Sequence, residues 1–192
     1  MNLLRKLYLK FFVSSGFPYG EYLSKSRALH HQGNNCFVSK GAEISDPYLL
    51  SIGDNVWITD GCRLLGHDAS VIMINIMQGS QLDQVGPIEI GDNCFLGNNV
   101  IVLPGTKIGP NTIVGSGAVV TRNLEGNAIY AGNPARLISS MDEYIEKVTS
   151  RSKQFPWSRH LSKTTAHIYD ANLEATLRKE RVEYFFNSQP SY

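Results

Sequence analysis

Apolar residues recur at every sixth position along one stretch of the chain, and this period dominates its hydrophobic pattern. From Ile90 to Glu125, six consecutive blocks of six residues each open with an aliphatic residue. The fifth position of each block is Cys, Val, Thr, Ala or Leu. A period of six fits neither an amphipathic helix nor an alternating strand. It is typical of a parallel β-helix in which three short strands make one coil.

The same period extends towards the N-terminus, although less regularly. It begins weakly near residue 32 and slips by two residues across Asp46 and Pro47 before it recovers. The aliphatic residues are expected to point inward, while Gly, Asn and Asp form the tight corners between strands. The pattern therefore predicts an all-β solenoid over residues 32–138.

A Gly-His step, Gly66-His67, ends the first run of repeats and precedes the longest interruption. Residues 68–87 carry no six-residue phase and contain Val, Ile and Met in close succession. Because coils stack directly on one another, an insertion of this length must leave the stack as a projecting loop. Exposed apolar surface of this kind marks interaction sites, so we expect the loop to cover a ligand or an adjacent subunit.

The N-terminal end departs from the repeat. Apolar residues at helical spacing over residues 3–12 predict a short amphipathic helix that ends before Gly16 and Pro18. We expect this helix to pack on the solenoid or on a neighbouring subunit. The alternative is peripheral membrane contact through residues 1–12, because basic residues lie between the apolar ones.

The C-terminal end is predicted to leave the solenoid through a Gly-Asn-Pro turn at 132–134. A capping-box pattern at Ser140 and Glu143 predicts a helix from about Met141 to Arg151, and further helix is expected within 162–186. The aromatic run at 184–186 is expected to be packed. The proposed division is an N-terminal helix and linker (1–31), a β-helix domain (32–138) and a C-terminal helical extension (139–192).

Charge and cysteine content exclude several classes of protein. A net charge of +1 gives no general attraction to nucleic acid, so no such partner is expected. No stretch reaches the roughly 18–20 apolar residues of a membrane span, and the basic N-terminus argues against a signal peptide. A cytoplasmic protein is therefore expected. Cys36, Cys62 and Cys94 each occupy the fifth position of a block and are interpreted as small core residues. Trp57 is interpreted as a packing residue, with an aromatic wall for a sugar as the alternative.

Several motifs follow one another in the order found in a known enzyme family. The Gly-His step and its loop precede GPIEIGDNCFLGNN, VLPGTKIG, VGSGAVVTR and AGNPAR. Over residues 32–138 the chain resembles the hexapeptide-repeat acetyltransferases, in particular the branch with galactoside, maltose, xenobiotic and polysaccharide O-acetyltransferases. The resemblance implies a left-handed parallel β-helix that forms a homotrimer with active sites between subunits. It also implies acetyl-CoA as co-substrate and no metal.

His67 is the candidate general base. In the family the base is a histidine just before the loop, and Gly66-His67 occupies that position. Imidazole, with an ordinary pKa of about 6.5, is suited to removing a proton from a sugar hydroxyl at neutral pH. Asp68 stands where galactoside-type members have proline, and its side chain should point away from that of its neighbour. An orienting role for Asp68 is therefore the weaker interpretation. The remaining histidines, His30, His31, His160 and His167, are interpreted as surface or packing residues.

The resemblance places the cofactor along the corners of the coils, in a groove between neighbouring solenoids. Asn98 matches a backbone amide near the thioester, and such an N–H would stabilise the oxyanion of a tetrahedral intermediate. Ser116 matches a contact to the pantetheine arm. Thr121 and Arg122 match a Thr-Lys step near the nucleotide end, and Arg136 matches an arginine near the CoA phosphates. The alternative interpretation is that Asn98 and Ser116 are ordinary polar corner residues and that Arg122 and Arg136 are solvated surface charges.

The leading hypothesis is an acetyl-CoA-dependent O-acetyltransferase that acts on a sugar hydroxyl. The acceptor is expected to belong to a bacterial surface polysaccharide such as capsule, O-antigen or exopolysaccharide. An amino-sugar N-acetyltransferase is the first alternative, and a non-catalytic trimeric scaffold is another. A zinc enzyme of the carbonic-anhydrase type is disfavoured, because a catalytic zinc site needs three protein ligands and the solenoid contains only His67.

Overall fold

The computed structural model describes residues 11–161 and 171–187 of the chain. It contains two compact units, Met1–Asp142 and Glu143–Tyr192. The helix predicted over residues 3–12 falls almost entirely outside the described residues, as do residues 162–170 with His167. Among the described helices, none has the length and apolar character needed to cross a membrane.

Short strands in the first unit stack into three flat sheets, as predicted for a parallel β-helix. The first sheet contains β1 (His31–Gln32), β4 (Leu50–Ile52), β7 (Ile88–Ile90) and β10 (Lys107–Ile108). The second contains β2 (Phe37–Val38), β5 (Trp57–Ile58), β8 (Phe95–Leu96), β11 (Thr112–Val114), β13 (Ala128–Ala131) and β14 (Arg136–Ser140). The third contains β3 (Glu43–Ile44), β6 (Arg63–Leu64), β9 (Ile101–Val102) and β12 (Val119–Val120).

Pairing between coils is parallel with one exception. The predicted turn at 132–134 contains a cis Asn133–Pro134 peptide and leads into β14, which pairs antiparallel with β13. All other strand pairs are parallel, and each links one coil to the next. A regular stack of this kind places residues of the same corner directly above one another.

The predicted inward positions form the core. The aliphatic residues that open the six blocks are all at most 3% exposed: Ile90, Leu96, Val102, Ile108, Val114 and Val120. Cys36, Cys62 and Cys94 are free and buried, as expected for small core residues. Burial raises the pKa of Cys94 to about 11, so its thiol is neutral at physiological pH.

Three corners separate the sheets, and the first corner lies between the first and second sheets. It carries a column of five asparagines with φ between 54° and 58°: Asn35, Asn55, Asn93, Asn111 and Asn127. The side-chain amides of the first four each donate a hydrogen bond to the next side-chain carbonyl, at 2.6 to 3.0 Å. Asparagine tolerates the left-handed conformation that these turns require.

Helix α1 (Phe17–Lys25) packs beside the first coil, where the hydrophobic pattern predicts no element. Pro18 lies in its first turn, a position that needs no backbone N–H, so it starts a helix here. The Phe17 ring contacts the rings of Phe37 and Trp57 edge-on, and these two stack at 4.5 Å between centroids. Trp57 is therefore a packing residue, as interpreted.

The second unit is helical in its described part. Helix α3 (Met141–Gln154) begins at the predicted residue, and a 3₁₀ helix (Pro156–His160) follows it. Helix α4 (Ala171–Val182) continues into a π-helix (Glu183–Asn187). Tyr184 and Phe185 pack on Phe155 and Trp157. The prediction of a packed aromatic end is wrong for Phe186, which is 80% exposed because the two preceding rings already cover the cluster.

Candidate active site

The third corner, between the third and first sheets, carries His67 at the root of the predicted projecting loop. Backbone pairing closes this root, because Asp68 N donates to Gln84 O (2.8 Å) and Gly86 N donates to Gly66 O (2.9 Å). His67 itself forms an isolated antiparallel bridge with Val85. The backbone of His67 is therefore held on both sides although its side chain is 47% exposed.

The His67 imidazole is paired with Asp46, which sits at the same corner one coil earlier. His67 Nδ1 and Asp46 Oδ2 are 2.5 Å apart, and the Asp46 side chain is only 16% exposed. Gly66 permits this approach, since a Cβ at that position would lie 2.7 Å from the Cβ of Asp46. The pair fixes the ring orientation and directs the Nε2 atom away from Asp46.

Asp46 has a direct effect on the protonation of His67. The hydrogen bond that His67 donates to Asp46, and then the charge of Asp46, raise the pKa of His67 above its ordinary value, with smaller contributions from Asp83 and Asp68. The sequence analysis missed Asp46. The feature of the sequence that could have pointed to Asp46 is the irregularity of the six-residue repeat at Asp46-Pro47, which falls at the same corner as the Gly-His step.

Asp68 has a different partner from the imidazole. Its Oδ1 atom accepts a hydrogen bond from the backbone N–H of Ser70 (2.9 Å), and this bond is the main cause of its lowered pKa. Asp68 therefore stabilises the turn that precedes helix α2 (Val71–Gln78). The possible role of Asp68 in orienting the imidazole belongs instead to Asp46, because adjacent side chains on an extended backbone diverge.

Helix α2 forms the outer part of the loop and ends at Gly79, which has φ 63°. Its apolar side chains are largely exposed in the single chain: Ile72, Met73, Ile76 and Met77 are 61 to 80% exposed. The Asn75 side chain bonds the backbone of Leu82 and the Ser80 hydroxyl, and it thereby fixes the return segment. The loop is an ordered arm with an uncovered apolar surface.

The second corner, between the second and third sheets, carries Asn98 and Ser116 in consecutive coils. Both side chains are exposed, and the Asn98 carbonyl accepts a hydrogen bond from Gly117 N (2.8 Å). Within residues 11–161 the Asn98 N–H donates to no backbone carbonyl. Gly97 allows the coils to stack closely, since a Cβ there would lie 2.7 Å from Ser116 N. The Asn98 N–H is therefore not engaged by a backbone carbonyl of these residues.

Thr121 and Arg122 follow β12 and lie at the third corner, two coils beyond His67. Both are exposed. Arg136 is an exposed residue of β14 in the second sheet, and its Nη1 donates to the Ala135 carbonyl (3.3 Å). His67 and Asn98 thus lie at opposite corners that border the third sheet. The candidate residues other than Arg136 therefore lie on two lines along the solenoid rather than in one cluster.

Among the described residues, no group of three or more His, Cys, Asp or Glu side chains is arranged to hold a metal ion. In the described part of the second unit, His160 bonds Glu180 (2.9 Å), which also pairs with Arg159. This arrangement links the 3₁₀ helix to α4 and is consistent with the interpretation of His160 as a packing residue.

Comparison with known proteins identifies the repeat and its relatives. Residues 87–122 match the family model described as bacterial transferase hexapeptide (six repeats). Protein CapG of Staphylococcus aureus is 36% identical over 143 residues, which cover 73% of this chain and 81% of CapG. Galactoside O-acetyltransferase of Escherichia coli (strain K12) is 32% identical over 115 residues, covering 59% of this chain. The match spans about half of that relative, 55% of its length.

Solved structures carry the same fold. A galactoside acetyltransferase in complex with coenzyme A matches with a TM-score of 0.53 at 26% identity. The match covers 66% of this chain and 72% of that protein. A hexapeptide-repeat acetyltransferase from Vibrio cholerae, complexed with acetyl coenzyme A, matches with a TM-score of 0.51 at 22% identity and supports the fold.

Proposed function

Because this chain belongs to the hexapeptide-repeat acetyltransferases, left-handed β-helix enzymes that use acetyl-CoA, we propose that it acetylates a sugar hydroxyl. The proposed acceptor belongs to a bacterial surface polysaccharide, and the proposed location is the cytoplasm. The observation that carries the proposal is the His67–Asp46 pair at the root of the apolar loop. It provides a positioned base in a chain whose relatives include a sugar O-acetyltransferase.

The reaction that fits this geometry is direct transfer within a ternary complex. With its Nδ1–H donated to the Asp46 carboxylate, His67 presents the lone pair of Nε2 to the acceptor hydroxyl. As the hydroxyl oxygen attacks the thioester carbonyl, Nε2 takes the hydroxyl proton. Asp46 then stabilises the imidazolium that forms, and the imidazolium returns the proton to the departing CoA sulfur.

The proposed oxyanion donor is the backbone N–H of Asn98. Such a donor acts on the charge that develops on the carbonyl oxygen and is worth several kcal/mol when preorganised. Ser116 is proposed to contact the pantetheine arm. The guanidinium groups of Arg122 and Arg136 are suited to the phosphates of the nucleotide end. The exposure of these side chains supports their availability to a ligand.

We place the complete site between neighbouring copies of a homotrimer. In one chain His67 and Asn98 lie at opposite corners of the third sheet, and the outer face of that sheet separates them. When two copies pack side by side, one copy can offer the corner with His67 while its neighbour offers the corner with Asn98. The exposed apolar arm around α2 is then expected to cover this junction.

The experiment that tests the proposal compares wild type with His67→Ala and with His31→Ala, which removes an exposed histidine of β1. We measure CoA release with a panel of sugar acceptors, and thermal melting with and without acetyl-CoA. His67→Ala should lose about 10²–10⁴ in kcat, as is usual for removal of a general base. Acetyl-CoA at about 100 times its Kd should stabilise all three proteins by roughly 2.7 kcal/mol.

Two results would contradict the proposal in different ways. A His67→Ala rate within a few-fold of wild type would exclude His67 as the base. No stabilisation by acetyl-CoA in any of the three proteins would favour the non-catalytic scaffold, since a scaffold has no need of the cofactor groove.

A second acceptor class, the amino group of an amino sugar, is favoured by one observation. Asp46, Asp83 and Asp68 together raise the pKa of His67, and the same negative field attracts a cationic ammonium group. Paired acceptors that differ only in carrying a hydroxyl or an amine at one ring position separate the two cases. A higher kcat/KM for the amine would assign N-acetylation.

A further inference from the structure

The third corner is lengthened in the coil that precedes His67. Residues 45–49 connect β3 to β4 there and include a 3₁₀ helix, Pro47–Leu49. Two coils later, residues 103–106 connect β9 to β10 as a simple turn. Asp46, the partner of His67, is the N-cap residue of the 3₁₀ helix. Because additions to a regular scaffold commonly carry function, the residues of this turn are candidates for a role beside the base.

Consecutive residues of the turn face different sides, since a 3₁₀ helix has about three residues per turn. Asp46 faces His67. Pro47 lies towards the first coil, where its carbonyl accepts a hydrogen bond from His30 N (3.1 Å). Tyr48 occupies the remaining side and is 63% exposed. Tyr48 therefore projects to solvent from the same short turn that supplies the carboxylate to His67.

The fold makes little use of the Tyr48 side chain. Within residues 11–161 and 171–187, its hydroxyl forms no hydrogen bond and its ring contacts no other aromatic ring. An aromatic ring stabilises a fold mainly through the apolar area that it buries, and most of this ring is not buried. The ring therefore contributes little to stability, and its surface is available to a ligand.

The place of Tyr48 along the solenoid fits the acceptor rather than the cofactor. The residues assigned to the cofactor lie in the coils that follow His67, whereas Tyr48 lies in the coil before it. Neighbouring coils are about 4.8 Å apart, the separation of paired strands. This spacing is comparable with the length of one pyranose residue. A saccharide that runs along the corner with one hydroxyl at His67 therefore has its next sugar residue at the level of Tyr48.

A tyrosine side chain is suited to packing against a pyranose. A pyranose with equatorial substituents has a flat face of C–H bonds, and tyrosine offers a flat apolar ring with a polar hydroxyl at its rim. The side chain has only two rotatable angles, so it loses little conformational entropy when a ligand covers it. Such a ring recognises the shape of a sugar without bonding one particular hydroxyl.

We propose that Tyr48 forms an acceptor subsite, in which its ring packs against the sugar residue next to the one that is acetylated. The inference rests on the proposed function and names its substrate class. The acceptor is a chain of pyranose residues rather than a free monosaccharide. Tyr48 is a specificity-determining residue of this reaction, and it takes no part in the proton transfer.

The test measures binding of saccharide probes by ligand-observed NMR titration in the presence of saturating CoA. Three pairs of probes are used: glucose with cellotriose, galactose with β-1,4-galactotriose, and N-acetylglucosamine with chitotriose. The proteins are wild type, Tyr48→Ala, Tyr48→Leu and Tyr48→Phe. Tyr144→Ala, which removes an exposed tyrosine of α3, is the matched control. All variants should melt at the wild-type temperature, because surface substitutions of this kind change stability little.

Wild type, Tyr144→Ala and Tyr48→Phe should bind at least one trisaccharide about 10-fold more tightly than its monosaccharide, the value expected for covering one ring face. Tyr48→Ala and Tyr48→Leu should lose most of this preference, because neither offers a flat ring, and their Kd for the monosaccharide should stay unchanged. With a trisaccharide that is acetylated, the same variants should raise KM and leave kcat unchanged.

Three results would overturn the proposal: no preference for a trisaccharide in wild type, a preserved preference in Tyr48→Ala, or equal weakening of both members of a pair. A lower melting temperature or an altered oligomeric state of Tyr48→Ala would assign the ring to packing between copies instead. Melting with acetyl-CoA in the same samples reports separately on the proposed acetyltransferase activity. Failure of that activity would abolish the cofactor shift, while the preference between saccharides would still be measured.

Discussion

At the scale of single residues, the proposed chemistry depends on the contact between His67 and Asp46. The two residues are 21 positions apart in the sequence, yet their side chains share a hydrogen bond. The carboxylate favours the protonated imidazole and therefore raises its pKa. A base with a raised pKa takes a proton more strongly, but it is unprotonated in a smaller fraction of molecules at low pH.

The pH dependence of activity follows from this shift. A general base must be unprotonated, so kcat/KM should fall with decreasing pH through a midpoint above about 6.5, the ordinary value for histidine. Asp46→Asn removes the charge that raises the pKa, so the acidic limb should move to lower pH. The value of kcat/KM that Asp46→Asn reaches at high pH should be roughly 10–100-fold below that of wild type, because the imidazolium loses a charged hydrogen-bond partner.

The measurement is a pH profile of kcat/KM for wild type, Asp46→Asn and Asp68→Asn. Asp68→Asn is the control, since its carboxylate bonds Ser70 and contributes only weakly to the His67 pKa. An acidic limb that stays in place in Asp46→Asn would show that His67 is not the titrating base.

At the scale of elements, the corners rather than the strands distinguish this solenoid. Most strands are two or three residues long, and the turns between them require unusual backbone angles. The first corner meets this requirement with stacked asparagines whose amides bond one another from coil to coil. Each asparagine therefore has two functions, since it adopts the left-handed conformation and it links neighbouring coils.

Substitution at Asn93 separates these two contributions. Its amide donates to Asn111 (2.9 Å) and its carbonyl accepts from Asn55 (3.0 Å), with φ 56°. Asn93→Gly loses both hydrogen bonds but adopts the left-handed conformation without strain. Asn93→Ala loses the same hydrogen bonds and is in addition strained, because its Cβ is disfavoured in that conformation. The free energy of unfolding in urea should therefore be lower for Asn93→Ala than for Asn93→Gly, by about 1–2 kcal/mol. Equal free energies of unfolding would show that the turn relaxes without strain.

At the scale of the whole molecule, the candidate residues other than Arg136 lie along two corners that border one sheet. This arrangement matters because neither corner carries all of the proposed groups. His67, Thr121 and Arg122 share the third corner, and Asn98 and Ser116 share the second. A site that needs both corners depends on how copies of the chain assemble.

Mixing two inactive variants tests this dependence. His67→Ala removes the base at the third corner, and Ser116→Trp is expected to block the pantetheine path at the second. If each site combines corners from two neighbouring copies, unfolding and refolding the variants together should restore roughly a quarter of wild-type activity by random assortment in a closed ring. The individual variants should remain inactive under the same treatment. Mixtures that stay inactive, despite exchange of subunits shown by mass spectrometry, would place each complete site within one chain.

Much of the fold was predictable because a β-helix depends on local order. Each coil contacts chiefly the coils before and after it, so a short repeated pattern specifies both the strand and its stacking partner. The inward positions of the blocks, including Leu96 and Ile108, are accordingly buried where the period places them. The position of His67 at the root of the loop was also predictable, since the Gly-His step coincides with the end of the repeat.

The sequence alone determined the period, the core and the place of the loop, because these depend on residues that are near one another along the chain. Only the tertiary structure decided what His67 contacts, since Asp46 lies at the same corner one coil earlier and stacking of the two coils brings its carboxylate to the imidazole. Contacts between coils depend on the length of every turn, and an irregular turn follows no repeated pattern.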